Sequence, residues 1–321
     1  MPNTTLLVLH DPTARHLALL DRLPQDLRIV ASDKAEGLRA AAPEAQAMLV
    51  GGGPFRGELE TLWPELRNLR WIHALSAGLE GLLFPQLVES PMVLTNSAGV
   101  FARSLGEFAL AGMLHFAKDL ARMKRQQAAS DWTCFDVDEL HGRTLAILGF
   151  GGIGRAAATR ARAFGMHIHA LRRSPAAPDP LVDRWFIGDQ LDEMLGSADY
   201  LLVSAPLTPA TRGLIDARRL ALLPRHAVLI NLGRGPVVDE AALVSALAGR
   251  CIRGAVLDVF DQEPLPPGHP FWALDNVLLS PHTADHTATW LTEAMEFFLA
   301  NFERWYAGQP LHNITRKHEG Y

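Results

Sequence analysis

Short aliphatic runs alternate with helix-patterned stretches along this chain, and that alternation leaves few folds open to it. "TLLVLH" at 5–10, "LRIVAS" at 27–32, "AMLVGG" at 47–52, "LRWIHAL" at 69–75 and "PMVLTN" at 91–96 read as strands. Ala- and Leu-rich stretches such as "TARHLALLDRL" and "AEGLRAAAPEAQ" lie between them. This pattern predicts βαβ crossovers and a parallel sheet. A second series follows with "TLAILGF", "MHIHAL", "YLLVSAP", "AVLINLG", "IRGAVLDV" and "NVLLSPH". Six strands between residues 144 and 282 predict a complete doubly wound domain. No fixed-period self-similarity is present, so a solenoid is excluded.

The chain has 321 residues, more than one hydrophobic core usually supports. The tail "TATWLTEAMEFFLANFERWYAG" is amphipathic and follows the last strand of the second series. If it crosses back, the first domain is discontinuous, built from 1–100 plus 286–321, with the second at 101–285. The connector "RSLGEFALAGMLHFAKDLARMKRQQ", 103–127, predicts one long helix. Its first apolar stripe is Leu105, Phe108, Ala109, Gly112, Phe116, Leu120 and Met123; Leu110, Leu114, Ala117 and Ala121 form a second. Two stripes imply burial on more than one side, at a domain or subunit interface.

"TLAILGFGGIGRAAATRARAFG" is a strand, then Gly149-x-Gly151-x-x-Gly154, then an Ala-rich helix. Gly149 permits a tight turn, Gly151 lets backbone approach a pyrophosphate, and Gly154 lets helix and strand pack closely. The anion would rest at a helix N-terminus, where unpaired N–H groups and the helix dipole favour negative charge. The second domain is therefore expected to be a dinucleotide-binding Rossmann fold. In such folds an acidic residue about 20 positions on usually binds the ribose 2′-hydroxyl of NAD. Here "IHALRRSP", 168–175, puts Arg172 in that place. A guanidinium cannot accept a hydroxyl proton, but it grips a phosphate bidentately. With Arg173 and Ser174 as further donors, the expectation is NADP(H) preferred, with NAD(H) as the alternative.

Three later strands end in unusual chemistry. "AVLINLGRG" places Arg234 past one strand, "GAVLDVFDQEP" places Asp258 at the end of the next with Glu263 beyond it, and "VLLSPHTAD" places His282 past the last. All fall beyond the carboxyl ends of parallel strands, where open α/β sheets bind ligands. The residue types suit carbonyl reduction. Arg234 offers a fork of donors to a 2-oxo acid, His282 a proton for the carbonyl oxygen, and Glu263 a partner that stabilises the imidazolium. His269 and His286 are the competing candidates for the acid.

A net charge of −5 argues against a nucleic-acid-binding surface, and the one dense basic run, "RMKRQQ", is short. No secretion-signal pattern or membrane-length apolar window appears, and Cys134 and Cys251 have no metal-type spacing. No metal is expected. Two distant cysteines point to a reducing cytoplasm.

Taken together, these motifs resemble the D-isomer-specific 2-hydroxyacid dehydrogenase family. Its glycine turn looks like "GFGGIG", its arginine motif like "NLGRG", its glutamate motif like "LDVFDQEP", its histidine motif like "SPHTA", and its cofactor-bordering loop like "PLTPATRGLI". The resemblance implies an α/β fold in which a Rossmann domain is inserted into a flavodoxin-like substrate domain. It implies Arg234, Glu263 and His282 as the catalytic set, and Asp258 near the nicotinamide carboxamide. Through "LSAGLEG" it implies backbone N–H groups around Ala77 and Gly78 that hold the substrate carboxylate. The cofactor set extends to Gly152, Ile153, Ala205, Pro206, Thr211, Leu232 and Gly233. The family is usually dimeric, and "HALSAGLEG", "RQQAASDW" and "LHNITRKHEGY" look most like its NADPH-linked glyoxylate/hydroxypyruvate or broad 2-oxo-acid reductases. Trp132, in "RQQAASDW", is expected in interface packing or near the site from a partner subunit. Ser204 departs from the pattern, since many members carry a histidine there. Two rival expectations share the fold: a sensor of reduced cofactor without turnover, and a formate- or phosphite-oxidising relative.

Overall fold

The computed structural model describes residues 4–173 and 178–320, so the Ser174 expectation lies outside the described residues. The chain divides into two compact units, Met1–Phe101 with Ala288–Tyr321, and Ala102–Thr287. Each is built on a parallel sheet.

In the first unit the strands are β1 (Thr5–Leu9), β2 (Arg28–Ser32), β3 (Ala45–Val50), β4 (Trp71–Ala74) and β5 (Val93–Asn96). They pair in the order β2-β1-β3-β4-β5. β1, β3 and β4 are apolar along nearly their whole length, as strands covered on both faces must be. The tail forms the helix Trp290–Tyr306, whose inner face presents Ala294, Met295, Phe298, Leu299 and Phe302. Phe298 stacks on Trp71 with centroids 5.7 Å apart. Fully burying each such side chain is worth about 1.5–3 kcal/mol, so this helix belongs to the first unit's core.

The second unit holds β6 (Thr144–Leu148), β7 (His167–Arg172), β8 (Arg184–Ile187), β9 (Tyr200–Val203), β10 (Val228–Asn231), β11 (Gly254–Leu257) and β12 (Val277–Leu279). Their order is β12-β11-β10-β9-β6-β7-β8, seven strands rather than the six expected. The extra one is β8, whose sequence Arg-Trp-Phe-Ile lacks the aliphatic run of the others. Strand order reverses between β6 and β9, the topological switch point where doubly wound sheets take ligands.

The connector is two helices, not one. Ala102–Ala117 and Leu120–Ala129 are separated by Asp119 in the left-handed region, φ 47° and ψ 52°. Its carboxylate accepts from Arg122 N at 3.1 Å, so the aspartate caps a new helix instead of continuing the old one. The first helix packs on the sheet, with Gly112 against Val256 and Phe116 against Gly254. Beyond the break the stripe is not buried within the chain: Leu120 is 40% exposed and Met123 41%.

Candidate active site

The glycine turn sits at the switch point. Gly149, following β6, has φ +100°, and a Cβ there would stand 2.6 Å from the backbone N of Ala205, which follows β9. Only glycine lets these two strand ends meet so closely. A Cβ on Gly151, by contrast, would meet nothing within 4 Å, so the turn is open where a pyrophosphate would approach. Helix Gly152–Ala163, which includes Ile153 and Gly154, starts from Gly151 as its cap residue and aims its N-terminus at that space. The open cradle and helix end fit a dinucleotide. Ser204, the departure noted above, donates its hydroxyl to Gly149 O at 2.8 Å and so braces the turn.

Ala205 and Pro206 begin the loop after β9. Thr211 is occupied within that loop, donating to Pro206 O at 2.7 Å and accepting from Thr208 N at 2.8 Å. Arg172 ends β7 and lies over the Trp185 ring, 3.1 Å from its centroid; Arg173 is exposed beside it.

The chemical residues converge on the other half of the same strand edge. After β10, Asn231 clamps the following turn: its side chain accepts from Gly233 N and donates to Arg234 O, both at 3.1 Å. Leu232 and Gly233 are buried in this turn, and Arg234 emerges half-buried, donating to Gly233 O at 2.7 Å. Gly235 then permits the decisive approach. A Cβ there would fall 2.1 Å from the carbonyl carbon of Phe260, so the arginine and glutamate loops lie backbone to backbone.

On the second loop Glu263 accepts from Phe260 N at 2.9 Å through Oε1, leaving Oε2 to meet His282 Nδ1 at 2.6 Å. His282 follows β12 with φ +54°, a conformation few non-glycine residues hold. Asp258, 2% exposed, supports it: Oδ1 accepts from Thr283 N at 2.9 Å and Ala284 N at 3.1 Å. Asp258, assigned by resemblance to the nicotinamide, therefore has that oxygen committed to the histidine loop.

The electrostatics follow. His282 is raised above its ordinary value, first by the hydrogen bond to Glu263, against burial, with the charges of Glu263 and Asp258 adding to it. Burial alone would raise Glu263. The hydrogen bonds from His282 and Phe260 N, with the charges of His282 and Arg234, outweigh it and hold the carboxyl below its usual range. The dyad favours an ion pair whose Nε2–H faces outward. His269 is spent elsewhere: Nδ1 accepts from Phe271 N at 3.2 Å and Nε2 lies 3.1 Å from Glu240. His286 lies 3.7 Å from Asp285.

In the first unit, Ala77 and Gly78 follow β4 at its carboxyl end. Ser76 donates to Gly78 O at 2.8 Å and Asn96 to Ala77 O at 2.6 Å. These braces use the loop's carbonyls rather than the N–H groups assigned to a carboxylate. No group of three or more His, Cys, Asp or Glu among the described residues is placed to hold a metal ion.

The fold and this edge define a doubly wound dinucleotide-dependent oxidoreductase, and comparison with known proteins agrees. The profile of the D-isomer specific 2-hydroxyacid dehydrogenase, NAD binding domain, matches residues 110–284. The chain is 34% identical over 262 residues to glyoxylate/hydroxypyruvate reductase B of Yersinia pestis, 79% of each protein. A D-isomer specific 2-hydroxyacid dehydrogenase from Xanthobacter autotrophicus Py2, solved with NADPH and MES, superposes with a TM-score of 0.82 at 32% identity, covering 99% of each chain. A family protein from Aeromonas salmonicida gives 0.84 at 29% identity over 98% of this chain and 99% of that one. This chain belongs to the D-isomer specific 2-hydroxyacid dehydrogenase family.

Proposed function

We propose that the protein reduces small 2-oxo acids of the glyoxylate or hydroxypyruvate type to D-2-hydroxy acids, preferring NADP(H) and accepting NAD(H). The observation that carries the reading is the 2.6 Å Glu263–His282 pair, with the charge of Arg234 acting on both partners. When bound, the nicotinamide supplies the hydride. Arg234 directs its fork of donors to the substrate's carboxylate and carbonyl oxygen, where charge develops. His282, held through Nδ1, gives the Nε2 proton to that oxygen; in the oxidative direction the neutral ring takes it back. Glu263 fixes the ring and steadies the imidazolium. The N–H groups of Ala77 and Gly78 are assigned to the substrate carboxylate on the family resemblance.

Preference for NADP(H) rests on Arg172 where an acid would select NAD, and on the Xanthobacter relative's NADPH complex. A sensor without turnover gains nothing from an aligned proton donor. We assign the protein to the cytoplasm; no helix among the described residues is long and apolar enough to cross a membrane. A homodimer is proposed through the segment after the connector break, where Met123, Val137 and Trp132, 96% exposed, line one apolar concavity.

The test follows nicotinamide absorbance with NADPH or NADH and a panel of glyoxylate, hydroxypyruvate and larger 2-oxo acids. Turnover of the small acids, with higher kcat/KM for NADPH, is the expected result. Silence across the panel overturns the reading.

A further inference from the structure

Arg172 differs from the arginines around it. Arg155 pairs with Asp179, Arg162 with Asp183 and Arg184 with Glu193. Arg172 makes no ion pair within 4 Å among the described residues, although its charge helps to lower Asp179, which Arg155 already holds; its guanidinium carbon lies over a ring, 3.1 Å from the Trp185 centroid. Parallel pairing of β7 and β8 sets Ala170 opposite Trp185, which brings the ring within reach of an arginine two residues further along the strand. Trp185 in turn meets Phe150, edge to face, with centroids 5.2 Å apart and planes at 83°. Phe150 is a residue of the glycine turn itself, between Gly149 and Gly151.

Trp185 thus bridges the pyrophosphate turn and the cation that would receive the ribose 2′-phosphate. Its indole Nε1 is buried with no hydrogen-bond partner among the described residues, so no polar contact explains its placement. An acid paired directly with Arg172 would orient it equally well but would cancel the charge that an incoming phosphate needs; the nearby Asp179 is instead paired with Arg155. A π-face orients the guanidinium and leaves its charge and N–H donors available.

The geometry points to Trp185 as the positioning residue for 2′-phosphate recognition, acting through Arg172. This rests on the NADP(H) reading above and adds a residue that no motif marks.

The test measures binding of 2′,5′-ADP and 5′-AMP, which differ only in the 2′-phosphate, together with steady-state kinetics. Trp185→Met should weaken 2′,5′-ADP by about tenfold, as expected for a lost cation–π contact. It should raise the KM for NADPH by a similar factor, leave kcat at saturation in place, and weaken 5′-AMP and NADH clearly less than their 2′-phosphorylated counterparts. Trp185→Phe, which keeps a ring, should restore most of the affinity. Equal loss for both nucleotides, or no loss for either, overturns the proposal. Arg172→Ala separates it from the NADP(H) reading. If Arg172→Ala abolishes the preference for 2′,5′-ADP while Trp185→Met does not, the reading stands and the positioning role falls. If Arg172→Ala changes nothing, both fall. Should Trp185→Met melt below the assay temperature, Trp185→Phe decides alone: a selective loss of about threefold in 2′,5′-ADP supports the role, and an unchanged or unselective result overturns it.

Discussion

Two histidines, one in each unit, show how the same side chain is driven in opposite directions. His73 lies in β4, fully buried, and burial pushes it down to about 3. Its partners are neutral: Thr95 Oγ1 at 2.7 Å from Nδ1 and Ser97 Oγ at 3.4 Å from Nε2. His282 is exposed, with 45% of its side chain accessible, so burial opposes its charge less, and the carboxylate of Glu263 raises it. Removal from solvent penalises the imidazolium in both places; only a countercharge at hydrogen-bonding distance reverses the sign. The first unit thus keeps its histidine as a neutral piece of core, and the second keeps its own ready to give a proton.

The most severe attempt to break this contrast removes the charged member. His282→Ala should lower kcat for 2-oxo-acid reduction by about 10³-fold while cofactor affinity, read by fluorescence titration, stays within error. Near-normal turnover would return the acid role to another group.

Glu263→Gln asks whether the countercharge matters beyond alignment. It should cost on the order of a hundredfold in kcat/KM. In the native protein, kcat/KM for reduction should fall as pH rises through the raised His282 value. Without the carboxylate that fall should move to lower pH, and a profile that stays in place would refute the electrostatic account.

His73 gives the smallest effect and the opposite direction. Below its ordinary 6.5 the unfolded chain binds a proton that the folded chain refuses until about pH 3. Stability should therefore be unaffected by this group above pH 6.5 and decrease as pH drops below it. Urea titrations of His73→Gln should lack that share of the slope.

Much of this arrangement was legible before any coordinates, because strand ends and motif residues are local signals. Gly149, Gly151, Arg234, Glu263 and His282 announce themselves by sitting just past apolar runs. Other features are products of pairing between distant segments. β8, Arg-Trp-Phe-Ile, carries no aliphatic run, and Trp185 reaches Arg172 only when β8 lies beside β7. Asp258 shows in one dimension only its place past a strand; that its Oδ1 accepts from the backbone of the next loop appears only in three. The connector misleads for a local reason. Its apolar spacing runs through Asp119, but a residue that readily caps and turns left-handed outweighs the spacing.

The His282 loop also follows β12, an edge strand of its sheet and, at three residues, the shortest. Sheet margins open at lower free-energy cost than interiors. Transient fraying there would disarm the proton donor while the nucleotide cradle, on the central β6, stayed assembled. Amide exchange should therefore be quicker around residues 277–284 than around 144–154, giving an intact cofactor-binding protein an intrinsic, reversible off state.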